Sequence, residues 1–143
     1  MIRAFLDSSA LYSAVVSPTG AGRELLKRYR QGQLALVVSP YVIGEVERNI
    51  RRDAPAHLNA FILALDLLSF EVVEPDQSLL DTTEQYVVLK DAPVVAGAIS
   101  AGCEYLLTYD RADLIDPPLV AEKSGLKIYT PGDLIQFLRS TDK

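Results

Sequence analysis

The sequence predicts an α/β fold built on a mainly parallel sheet, and three observations carry that prediction. Five short apolar runs, IRAFL, LALVV, FEVVE, EYLLTY and LKIY, alternate with helix-length segments along the whole chain, the pattern of a parallel sheet covered by helices. At 143 residues and 15.7 kDa the chain has the size of one domain with one continuous core, spanning 1–143. Its polar gaps, such as RADLIDPP, are too short to be linkers, and no internal repeat is visible.

The elements follow in order. IRAFL is the first strand, and SSALYSAVV begins a helix with Ser8 or Ser9 as its cap before the loop SPTG. A basic helix follows Gly20 and runs to about Arg30. LALVV is the second strand, and Ser39 with Pro40 opens the next helix, because serine caps well and proline suits the first helical turn. Residues 55–68 read as a helix with Phe61, Leu65 and Leu68 on one face. FEVVE is the third strand, and a helix over about 76–88 follows. Asp91 opens a buried helix, APVVAGAISAG, whose small residues permit close packing on a sheet. EYLLTY and LKIY complete the sheet, and TPGDLIQFLR closes the chain with Thr130 as cap and Pro131 at the first helical position.

Composition narrows the function. With 49% hydrophobic and 23% charged residues, the chain resembles ordinary globular proteins and not a disordered or disulfide-stapled one. The lone cysteine, Cys103, lies among apolar residues and reads as a small buried hydrophobe. Asp7 interrupts the first apolar run, which excludes a signal peptide or a membrane span there, so the expected location is the cytoplasm. A net charge of −5 argues against a broad nucleic-acid grip. Positive charge is nonetheless local: Arg23, Lys27, Arg28 and Arg30 form one cluster, and Arg48, Arg51 and Arg52 another. Either serves as a solvated helix face or as a guide for a phosphate backbone.

Four acids stand where the elements converge. Asp7 and Asp110 each follow an apolar run, Asp91 opens a helix, and Glu45 lies on the helix after the second strand. In an open α/β sheet, ligands bind at the carboxyl ends of the strands. Carboxylates gathered there repel by roughly 3 kcal/mol per pair at ~5 Å and an effective dielectric of about 20, so the site wants a divalent cation. Each acid also has a plainer role: Asp7 and Asp91 as helix caps, Asp110 as a turn residue. Glu45 and Glu47 flank opposite edges of the same apolar face, and periodicity does not choose between them.

His57, the only histidine, lies in DAPAHLNA away from these acids, which disfavours a histidine triad. Neither a phosphate-cradling Gly-Lys-Ser/Thr loop nor Gly-x-Gly-x-x-Gly follows the first strand. An oxygen-only ligand set suits Mg²⁺ or Mn²⁺, and such ions serve phosphodiester hydrolysis.

Three segments, FLDSSALYSAVVSP, LVVSPYVIGEVERNI and KDAPVVAGAISAGCEYLLTYDRADL, make the chain resemble the PIN-domain ribonucleases, including the toxins of toxin–antitoxin pairs. The resemblance covers nearly the whole length. It implies a three-layer α/β/α sandwich with a central, mainly parallel sheet, and an Mg²⁺- or Mn²⁺-dependent endoribonuclease whose metal-binding acids are Asp7, Glu45, Asp91 and Asp110. It thereby selects Glu45 over Glu47. Asp113 and Thr108 match supporting positions. Ser8 and Ser9 replace a Thr-Asn pair, so a side-chain amide common in the family is missing. Tyr109 stands where many members carry a small residue, and an ordinary packing role is expected for it, with base stacking the alternative. The family's habits further imply an RNA substrate guided by residues such as Arg23, Lys27, Arg48 and Arg51, a homodimer and a separately encoded antitoxin. A catalytically inactive PIN scaffold that binds RNA or a protein is the rival reading. A Mg²⁺-dependent phosphatase is disfavoured because Ser9 occupies the position of its second aspartate.

Overall fold

The computed structural model describes residues 1–142. Five parallel strands form one sheet in the order β3-β2-β1-β4-β5. The strands are β1 (Arg3–Leu6), β2 (Ala35–Val38), β3 (Glu71–Val72), β4 (Tyr105–Leu107) and β5 (Lys127–Tyr129). The helices are α1 (Ser8–Val16), α2 (Ala21–Arg30), α3 (Pro40–Asp53), α4 (Leu58–Leu68), α5 (Gln77–Thr83), α6 (Ala92–Ser100), α7 (Pro118–Ser124) and α8 (Pro131–Thr141). Right-handed crossovers place the helices between β1, β2 and β3 on one face, and those of the return from β3 through β4 to β5 on the other. The α/β/α sandwich is thereby formed, and its sheet is wholly parallel.

The strand order reverses between β1 and β4, which pair in the register Ala4↔Tyr105, Phe5↔Leu106 and Leu6↔Leu107. The connections that follow β1 and β4 diverge to opposite faces of the sheet and open a crevice at the carboxyl ends of the strands. Asp7 follows β1 directly, and Asp110 comes three residues after β4 ends at Leu107.

Packing holds the switch point rigidly. Phe5, Leu6, Leu106 and Leu107 are at most 1% exposed. A β-carbon added at Gly97 on α6 would lie 3.1 Å from the Phe5 ring, so glycine lets this helix settle on the strand. Gly22 on α2 is tighter still: an added β-carbon would lie 2.7 Å from the Ala14 Cα on α1. Gly22→Ala is therefore expected to force the two helices apart and cost about 1–3 kcal/mol, read as a lower midpoint in urea unfolding. Across the same layer, Arg139 on α8 and Arg28 on α2 share the Glu24 carboxylate, and Arg28 also binds Asp142 at 2.9 Å. The Arg139 hydrogen bond leads in holding the Glu24 carboxyl below its ordinary range.

Several sequence expectations change. Asp7, one of the acids offered as a helix cap, caps α1 in place of Ser8 or Ser9: its Oδ1 accepts from the Ala10 amide at 2.9 Å. The serine hydroxyls are engaged with carboxylates elsewhere, and aspartate also favours the positive end of the helix. Over 55–68, a short 3₁₀ turn at Pro55–His57 precedes α4. Phe61 is the buried residue of α4, whereas Leu65 and Leu68 are half-buried and Ile62, Leu63 and Leu67 face outward. The helix expected over 76–88 ends at Thr83 and gives way to turns leading to Asp91. The third strand shortens to Glu71–Val72, although the Val73 amide still donates to the Val38 carbonyl. The helix α7 was not expected; its signals are Pro118 at the first position and Gly125 in the left-handed region just past the end. Ser39 and Thr130 cap α3 and α8 as expected. Cys103 is buried, and desolvation pushes its thiol up to about 11. Among the described residues, no helix is long and apolar enough to cross a membrane.

A carboxylate crevice at the switch point

Asp91, Asp110 and Asp113 each bring one carboxylate oxygen to within 4.8 Å of the others. Local backbone explains how. Asp110 ends the extended segment and its Oδ1 accepts from the Asp113 amide at 3.0 Å, opening a π-helical turn over Arg111–Ile115. The wider turn brings Asp113 back beside Asp110; such π turns recur at functional sites. Asp91 precedes α6 but makes no side-chain cap bond, so the capping explanation fails for it. Its Oδ2 instead meets the Lys90 ammonium at 3.0 Å. The same ammonium lies 3.4 Å from both Asp110 and Asp113.

Asp7 and Glu45 border this trio and lie outside the set of oxygens within 4.8 Å of one another. Asp7 is 5% exposed, and its Oδ1 accepts from Ser9 Oγ at 2.7 Å as well as from Ala10. Its Oδ2 accepts from the Thr108 hydroxyl at 2.5 Å, and that hydroxyl in turn accepts from the Asp110 amide at 2.9 Å. Thr108 thus joins the ends of β1 and β4 through one buried oxygen. Ser9 Oγ makes a second join by accepting from the Tyr109 amide at 3.0 Å. Ser8 Oγ donates to Glu45 Oε1, linking α1 to α3. The two serines that replace the expected Thr-Asn pair are both hydrogen-bonded to site carboxylates.

Burial raises the Asp7 carboxyl above its ordinary range, although the bonds from Thr108, Ala10 and Ser9 oppose it and the Asp110 charge adds to it. Burial likewise raises Asp91, against the pull of Lys90. The Asp91 carboxylate holds the Lys90 ammonium charged far above its usual range. The donor set fits a hard divalent cation: oxygen ligands only, with a positive group already lying among them.

Tyr109 does not pack as expected; it is 44% exposed, with its neighbours Thr108 and Asp110 in the site. The expected cationic guides occupy different places. Arg23 donates to the Ser17 and Val15 carbonyls at the end of α1. Lys27 lines a cleft between α2 and α4 with Leu26, Ala64 and Leu67. Arg51 pairs with Glu47, whereas Arg48 shares the Glu45 side of α3 by its three-residue spacing. His57 is exposed in the 3₁₀ turn. Lys90 and Tyr41 were not anticipated. The signal for Lys90 was its place immediately before Asp91, and the Tyr41 hydroxyl donates to the Lys90 carbonyl at 2.8 Å.

An acid-lined crevice at the switch point of a parallel α/β/α sheet defines a class of ligand-binding α/β proteins only broadly. The PIN domain family model matches residues 3–112, and the chain belongs to the PIN-domain family. No curated protein matches the chain. Among solved structures, it is similar to VapBC2 from Rickettsia felis bound to a promoter DNA fragment, at 13% identity and a TM-score of 0.64, covering 89% of this chain and 97% of that one. VapBC-1 from nontypeable Haemophilus influenzae gives 14% identity and a TM-score of 0.59, covering 91% and 98%. VapC20 of Mycobacterium tuberculosis, a sarcin-ricin loop cleaving toxin, gives 14% identity and a TM-score of 0.53, covering 76% and 91%. At these identities the likeness is one of fold.

Proposed function

We propose that this protein is a divalent-metal-dependent endoribonuclease and the toxin of a toxin–antitoxin pair. The convergence of Asp91, Asp110 and Asp113 at the switch point, in a PIN-domain chain, carries the proposal. These three residues would hold Mg²⁺ or Mn²⁺, with Asp7 and Glu45 on the border of the same site. Such an ion supplies Lewis acidity to the phosphodiester and to the attacking water.

The chain's own groups do the positioning. Thr108 fixes the Asp7 carboxylate and the Asp110 backbone against each other, and Ser8 steadies Glu45. Ser8 and Ser9 both donate to site carboxylates and Thr108 is fully buried, which suits these hydroxyls to holding the acids in place, and the proposed nucleophile is water. Exposed Tyr109 and Arg48 are the residues we assign to a base and a phosphate of the RNA. Outward-facing Ile62, Leu63 and Leu67 on α4 supply apolar surface for a cognate antitoxin or a second copy of the chain.

The test is cleavage of a single-stranded RNA panel in Mn²⁺, Mg²⁺ or EDTA, by the protein and by Asp91→Asn. Metal-dependent cleavage that disappears in the variant is the expected result. Cleavage that persists in EDTA overturns the metal role, and RNA binding without cleavage in any metal moves the protein to the inactive-scaffold reading.

A further inference from the structure

We propose that Lys90 is a positioning residue of the carboxylate site: a tethered cation that shares its oxygens with a divalent ion and thereby sets how much ion the site requires. This inference rests on the nuclease reading of that site.

Lys90 Nζ lies 3.0 Å from Asp91 and 3.4 Å from Asp110 and from Asp113. Those are the same three carboxylates whose oxygens converge to hold a cation. A surface lysine making one ion pair is ordinary; one ammonium shared by three converging carboxylates occupies the place where an ion would be bound. Without a positive group, three such acids repel one another, so Lys90 stabilises the ion-free arrangement. The same oxygens cannot fully satisfy both cations. Binding at one site and engagement of Lys90 are therefore coupled with negative sign, and the coupling is reciprocal.

The attachment suits a group that comes and goes. The Lys90 backbone is pinned by Tyr41, whose hydroxyl donates to its carbonyl at 2.8 Å. The side chain is 64% exposed, so it leaves the oxygens without disturbing the core. Ion pairs of a largely exposed ammonium are individually weak, and three of them make a competitor that is appreciable yet displaceable.

The experiment is a Mn²⁺ titration, with free ion followed by electron paramagnetic resonance, on the intact protein, Lys90→Met, Lys90→Arg and the control Lys27→Met. Lys90→Met is expected to bind Mn²⁺ about tenfold more tightly, equivalent to ~1.4 kcal/mol. Lys90→Arg is expected to remain near the parent, since it keeps the competing charge. Thermal unfolding in EDTA confirms that each variant is folded, and Lys90→Met is expected to melt lower in EDTA but to gain more on adding Mn²⁺. A merely structural lysine predicts the opposite sign, weaker binding on removal. Equal or weaker Mn²⁺ binding by folded Lys90→Met, with the parent still binding, overturns the proposal for Lys90 alone. Failure of every variant and the parent to bind Mn²⁺ overturns the metal site itself and this inference with it.

Discussion

Asp7→Asn is expected to lower RNA cleavage by about a thousandfold while leaving stability near neutral pH within about 1 kcal/mol of the parent. The asparagine carbonyl still accepts from the Ala10 amide and Ser9, so α1 keeps its cap. Its amide group faces Thr108 Oγ, which then loses the acceptor for its own proton. Against that loss stands the removal of a buried charge. Burial raises the Asp7 carboxyl in the folded protein, so folding favours the protonated form. The sign follows: Asp7 supports stability most in acid, below its unfolded value, and that support is lost as pH rises through the raised folded value. Relative to the parent, Asp7→Asn is thus expected to gain stability as pH is raised from acid toward neutral in EDTA. Urea unfolding at several pH values measures this, and a variant that loses stability relative to the parent as pH rises would contradict the burial argument.

Thr108→Val has the opposite profile, a structural loss that carries activity with it. Thr108 is 0% exposed, and its hydroxyl both donates to Asp7 and accepts from the Asp110 amide. Valine matches its shape but leaves an amide and a carboxylate oxygen without their partner in the interior, at a cost of about 2–4 kcal/mol. Thr108→Ser keeps the hydroxyl and is expected to recover most of the loss. Urea unfolding of the two variants, with cleavage of one RNA substrate, separates them; equal stability of Val and parent would show that the hydroxyl is not what joins the strands.

The architecture was readable because it rests on long-range pattern. Five apolar runs and their helical spacers specify a parallel sheet, whereas the strand order, and with it the switch point between the first and fourth strands, is visible only in the structure. Boundaries were harder wherever a local side chain competed. The residue that caps α1 is Asp7, one position before the serines. The region 84–91 turns although its composition permits helix. At the site, the prominence of Asp91 and Asp110 was legible from their places at element ends. The proximity of Asp113 depends on a π turn, which has no periodic signature in five residues. The cationic clusters were harder to read for a simple reason: sequence proximity says nothing about which face a side chain takes. Arg23 closes the end of a helix, while Lys90, an isolated cation in sequence, lies among the acids.

The Thr108 link also bears on when the carboxylate site can assemble. Thr108 and Asp7 are 101 residues apart in the chain, and β1 stays without its β4 neighbour until the residues of β4 have been made. Pairings of such separation close late because loop entropy must first be overcome. A chain still emerging from the ribosome therefore carries Asp7 and Glu45 but no assembled carboxylate trio. The proposed activity therefore waits on β4, and a fragment lacking that strand is expected to be inert however well its first helices form.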